Sequence, residues 1–144
     1  KAKKENKKES DKENSIMGLR VEISVGELVD KITILEIKLM FIEDDAKREN
    51  INKELTTLNS SFVEDVGEGE EILVLKESLK KVNLELWRIE DDIRECERQS
   101  NFGDDFIKLA RAVYHTNDKR AALKREVNEL VGSELVEEKS YAAY

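Results

Sequence analysis

Apolar side chains recur along most of this chain at alternating steps of three and four residues, the spacing that lines one face of an α-helix. The first run is Leu28, Ile32, Leu35, Leu39 and Ile42. The second, Ile51, Leu55, Leu58 and Phe62, is out of phase with it, since extending the first register lands on Ala46, Glu49, Lys53 and Thr56. One straight helix cannot turn both stripes toward one core. A helical hairpin turning near residues 43–47 is therefore expected, with Asp44 or Asp45 capping its second arm.

Ser24, Val25, Gly26 and Glu27 form a capping-box pattern ahead of the first run, where serine and glutamate reciprocally satisfy free amides at a helix start. The preceding VEISV, residues 21–25, alternates like a strand but has no partner strand, so it is expected as an extended lead-in packing on the bundle. The loop Val66-Gly67-Glu68-Gly69 separates the second run from a third. That third run keeps the same alternation through Ile72, Leu75, Leu79, Val82, Leu86, Ile89, Ile93 and Cys96. It predicts a helix on the order of 40 Å long. Ser100-Asn101-Phe102-Gly103 ends it, and Asp104 is expected to cap a last long helix reaching Val131, with Gly132 as its stop. Residues 134–144 are expected as a short helix or an ordered strap anchored by Leu135, Val136 and Tyr141.

The fold class that follows is all-α: antiparallel helical hairpins forming a four-helix bundle, its two C-terminal helices long. The absence of proline and the presence of only 6 glycines agree, because a sheet protein of 144 residues needs more turn punctuation. Residues 1–15 carry almost nothing apolar and are expected to be a disordered charged linker or tag remnant. A single helical domain is expected over residues 16–144.

A formal net charge of -8 argues against a broad nucleic-acid footprint, which is built on excess lysine and arginine. No apolar run reaches the ~18 residues that span a bilayer, so no membrane partner is expected. The single cysteine, Cys96, has no internal disulfide partner, and a cytoplasmic location is expected.

The last helix breaks its own pattern. Its stripe runs Phe106, Leu109, Val113, Thr116, Arg120, Leu123, Val127 and Leu130, so two polar residues occupy successive core positions. A buried guanidinium costs several kcal/mol unless a carboxylate and further hydrogen bonds satisfy it. Glu36, Glu90 and Asp91 lie beside apolar stripes and are candidate counter-charges, and Asp30 serves if the hairpin register differs. Two readings stay open. One is a buried ion cluster that fixes helix register. The other is an anion pocket for a phosphate or carboxylate, made from Arg111, Asn117, Arg120 and Lys124.

Metal chemistry has little support. His115 is the only histidine, so the paired Glu-x-x-His arrangement of di-iron bundles is absent. Glu27/Asp30 and Asp92/Glu95 have spacing suited to a carboxylate-only magnesium site, yet such pairs arise by chance among 33 acidic residues. No metal and no cofactor are expected. Cys96 reads as a small core residue, His115 as a surface or edge residue, and Trp87 as partly buried packing.

Three stretches, VEISVGELVDKITILEIK, LWRIEDDIRECE and FIKLARAVYHTNDKRAALKREVNELVGSELVEEKSY, resemble an uncharacterised family of small helical proteins from bacterial and viral genomes, a domain of unknown function. The resemblance implies a link to surface-glycan synthesis and supplies no catalytic residues. The function expected overall is that of a non-enzymatic helical module acting by coiled-coil-like self-association or by docking onto a protein partner. The alternative is a binding protein or enzyme for a phosphorylated metabolite or nucleotide sugar, centred on Arg120.

Overall fold

The computed structural model describes residues 18–144. The charged stretch 1–15 lies outside the described residues. Four α-helices follow one another: α1 (Val25–Phe41), α2 (Asp45–Ser61), α3 (Glu70–Arg98) and α4 (Asp104–Val131). A π-helical turn, Phe62–Val66, continues α2. Among the described residues there are helices and irregular segments and no strand. No described helix is long and apolar enough to cross a membrane.

The start of α1 is locked from two sides. Ser24 Oγ accepts the Glu27 amide at 3.1 Å, the first half of the expected capping box. The reciprocal half is replaced, because the Glu27 carboxylate is engaged by Lys124 of α4. The end of α4 supplies the remaining caps: Asn128 Oδ1 accepts the Gly26 amide at 2.7 Å, and Ser133 Oγ accepts that of Val25 at 3.3 Å. Gly26 makes this approach possible, since a Cβ there would lie 2.4 Å from the Lys124 carbonyl oxygen.

From that junction α1 runs antiparallel to α4, with Glu27 reaching Lys124 and Asp30 reaching Arg120. It runs in the same direction as α3, with Asp30 against Asn83 and Phe41 stacked on Trp87. At its far end the Arg48 guanidinium donates to the Leu39 and Ile42 carbonyls, tying the turn together, while Asp44 caps α2 through the Lys47 amide at 2.9 Å. The phase slip in the sequence corresponds to this turn. Helix α1 packs against the three other helices. It therefore buries more than the expected stripe, adding Val29, Asp30, Thr33 and Ile37 to Leu28, Ile32 and Leu35.

The apolar core gathers where the start of α1, the π-turn, the start of α3 and the end of α4 converge. Leu28, Val29, Ile32, Phe62, Ile72, Leu79 and Val127 form it, with Leu55, Leu58, Leu75 and Leu123 packed around. The long pair α3 and α4 makes the most extensive helix–helix contact. Gly132 adopts φ +65° and stops α4, with the Ser133 amide returning to the Asn128 carbonyl at 2.9 Å.

Three local expectations are corrected. Asp104 is the first residue of α4 rather than its cap; Gly103 holds the cap position, and Asp104 and Asp105 sit where the helix dipole favours negative charge. The lead-in is irregular over 21–24 and Val25 already begins α1, but Val21 and Ile23 stay exposed, and only Ser24 and Val25 engage the bundle. The tail is a non-helical strap, yet Leu135, Val136 and Tyr141 are exposed. Ion pairs of Glu137 and Glu138 hold it instead, together with Tyr144, whose hydroxyl donates to Asp118 and whose ring packs on Tyr114 and His115. Its apolar residues are too scattered to form a buried stripe, whereas Glu137 and Glu138 face Lys124 and Arg125.

Candidate functional site

The polar break in α4 meets a buried polar cluster on α1 and α3. Asp30, only 1% exposed, projects from α1 between the two long helices. Its Oδ1 accepts from Arg120 Nε and from Asn83 Nδ2, each at 2.9 Å, and its Oδ2 accepts from Arg120 Nη2. This two-point contact uses the guanidinium's planar fork, the strongest geometry available to such a pair. Asn83 Nδ2 also donates to Thr33 Oγ1 at 2.9 Å, and that hydroxyl donates to the Asp30 carbonyl at 2.8 Å. Thr116 is buried on the same α4 face. The hydrogen bond to Asp30 raises the Arg120 pKa against the opposing effect of partial burial.

One turn along α4, Lys124 donates to Glu27 Oε2 at 2.6 Å and Glu137 Oε2 at 2.7 Å. Burial opposes its charge, but the hydrogen bonds to Glu137 and Glu27, with the charges of Glu27 and Asp30, outweigh it and raise the pKa above the ordinary lysine value. The same hydrogen bond, followed by the Lys124 charge, holds Glu137 below the ordinary carboxylate range.

Beside the Asp30–Arg120 pair a groove of about 570 Å³ opens between α1, α3 and α4. Ile34, Ile37 and Leu86 supply apolar surface, and Trp87 lies along it, stacked on Phe41 with ring centroids 5.4 Å apart. Asn83, Asn117 and Arg120 reach it, and Glu90, Asp91 and Arg94 complete its lining.

Of the four residues expected to form an anion pocket, Asn117 and Arg120 share this groove. Lys124 is buried one turn away between two carboxylates, and Arg111 is exposed and joins neither group. The counter-charge of Arg120 is Asp30. Glu36 faces Lys76 and Lys80, each at 3.5 Å, and Glu90 faces Arg94 at 3.5 Å. Asp91 lines the groove without a hydrogen bond to Arg120. Asp30 falls off the first stripe and faces inward because α1 is covered on several sides. Asn83, Thr33, Glu27, Asn128 and Glu137 are partners beyond those expected from the sequence. Asn83 had a signal, lying four residues after Leu79 and three before Leu86, within the width of the α3 stripe.

Among the described residues, no three or more His, Cys, Asp or Glu side chains are grouped to hold a metal ion. Cys96 is buried, and His115 is exposed and clusters with the rings of Tyr114 and Tyr144, which also touch each other. No curated protein and no solved structure matches the sequence. A family model does match it, over residues 19–144. The chain belongs to the family of unknown function DUF6165.

Proposed function

We propose that this chain is a non-enzymatic helical module that works by assembly, pairing with a second copy of itself through the free end of the α3–α4 hairpin. The observation that carries this reading is the difference in helix length. The C-terminal residue of α1, Phe41, stacks on Trp87, and α3 continues from there to Arg98. That adds about 16 Å of hairpin beyond the third helix, at 1.5 Å per residue.

The apolar seam continues into this extension. Ile93, Phe106, Leu109 and Val113 are only half-buried there, and Phe102 and Ile107 are 52% and 53% exposed. Two helices share a single seam and leave its flanks open to water. Pairing two such ends restores the four-helix packing that the rest of the bundle has, by a symmetric, self-complementary contact. The inward charges support the same reading, since Asp30, Arg120, Lys124 and Glu27 are engaged with one another. A setting in surface-glycan synthesis is part of the same proposal. Hydrogen exchange at rising protein concentration tests the proposal. Amides near residues 93–113 are expected to slow as copies pair, and concentration-independent exchange there would contradict it.

A second reading is favoured by the groove at Trp87. Its volume falls within the ~300–1,000 Å³ of small-molecule sites, and it combines apolar walls with a few polar groups. On this reading the chain binds a small polar metabolite beside Arg120. Binding that Asn117→Ala weakens without altering the melting temperature would support it.

A further inference from the structure

We propose that the groove beside Trp87 takes a neutral, polyhydroxylated ring, a monosaccharide unit, rather than a phosphate; this rests on the groove being a ligand site, the second reading above. The first argument is charge. Arg120 presents little free positive charge, because Asp30 neutralises it through two hydrogen bonds from a fully buried position. Arg94 stands 3.5 Å from Glu90. With Asp91 also lining the groove, two cations face three carboxylates. That balance gives a phosphate carrying one or two negative charges no net attraction, since each cation already faces a carboxylate.

The second argument is the donor and acceptor inventory. Both hydrogens of the Asn83 amide are used, one on Asp30 and one on Thr33, so only its Oδ1 remains, an acceptor without a hydrogen-bond partner among the described residues. Glu90 and Asp91 add acceptors. The Asn117 amide and Arg120 Nη1 are donors that likewise make no hydrogen bond among the described residues. A phosphate dianion offers no hydrogen for the acceptors. A hydroxyl both donates and accepts, and neighbouring ring hydroxyls can answer the acceptors on α3 and the donors on α4 together.

The third argument is shape. Trp87 is braced by Phe41, whose ring lies 13° from parallel to it, and Ile34, Ile37 and Leu86 are its apolar neighbours in the groove. A pyranose has one such face of C–H groups and a rim of hydroxyls, which matches an aromatic shelf edged by amides and carboxylates.

Trp87 is the only tryptophan, so its fluorescence reports directly on the groove. The protein is titrated with glucose, galactose, N-acetylglucosamine, uridine and inorganic phosphate, with calorimetry in parallel. At least one monosaccharide is expected to give a saturable change, and Asn117→Ala to weaken it by about tenfold, the effect of one lost hydrogen bond. Asn117 makes no hydrogen bond in the fold, so the variant is expected to melt with wild-type protein. Saturation by phosphate or uridine with no response to the sugars would overturn the inference while leaving the groove a ligand site. No binding by any probe would overturn both. Monosaccharide binding that Asn117→Ala leaves unchanged would place the ligand elsewhere and also overturn the inference.

Discussion

Arg120 and Asp30, 90 residues apart in sequence, meet through two parallel hydrogen bonds that tie α4 to α1, with Nε standing 2.9 Å from Oδ1. The carboxylate is fully buried, and the guanidinium keeps one edge on the groove. Removing one partner of a buried pair strands the other, at a cost of about 3–5 kcal/mol. Asp30→Ala is expected to lose about 3 kcal/mol, the lower end of that range, because Arg120 retains solvent contact. The double variant Asp30→Leu with Arg120→Met is expected to recover most of the loss, since it replaces both charges with apolar groups. Urea unfolding of the three proteins measures this, and a double variant no more stable than Asp30→Ala would count against the pair being self-contained.

The junction of α1 with α4 rests on Gly26 and Asn128. Gly26→Ala places a methyl 2.4 Å from the Lys124 carbonyl oxygen, so the helices must separate, at a cost of roughly 1–3 kcal/mol. Asn128→Ala removes a buried cap and is expected to cost about 1–2 kcal/mol. Both are read from thermal or denaturant melts. If Gly26→Ala melted with wild-type protein, the close approach would be refuted.

The strap after α4 is held by charge and therefore titrates. Glu137 has a depressed pKa when docked, so its contribution is present above the ordinary carboxylate value, about 4.3, and is lost as pH falls through the lower docked value. Lys124 is raised, so its contribution is present below the ordinary lysine value, about 10.4, and is lost as pH rises through the higher docked value. Proteolysis within residues 134–144 is expected to be slowest between those limits and faster at high salt, which screens exposed pairs such as Arg125–Glu138. Glu137→Gln is expected to speed cleavage at neutral pH. A cleavage rate unchanged in Glu137→Gln would show that the pair does not hold the strap.

The braced ring of Trp87 offers a test of the end of α1. Phe41→Ala removes the stacked partner of Trp87 and is expected to shift its emission to the red while costing about 1 kcal/mol, because Phe41 is itself partly exposed. An unshifted spectrum would mean that Trp87 does not lean on α1.

The four helices were legible because their apolar spacing is a local property, and each hairpin turn coincides with a break in phase or a glycine. The Arg120 anomaly was legible for the same reason. Its partner was harder to identify. Single-stripe reading treats each helix as having one buried face, and α1 has more, so Asp30 fell off the stripe although it is buried. Asn128 and Glu137 act through the approach of distant segments, which no spacing along one helix encodes. The strap itself is as expected, but its anchors differ for another reason: its apolar residues suggest burial, while its glutamates meet the cations of α4.

Sedimentation equilibrium of the wild-type protein and of the double variant Phe102→Glu with Ile107→Glu tests the assembly reading most directly. Both side chains are exposed at the hairpin's free end, so the variant is expected to keep wild-type helicity. The wild-type mass is expected to rise with concentration to at least twice the 16.6 kDa of one chain, and the variant to remain at the single-chain mass. A wild-type protein that stays monomeric at every concentration would contradict the assembly reading.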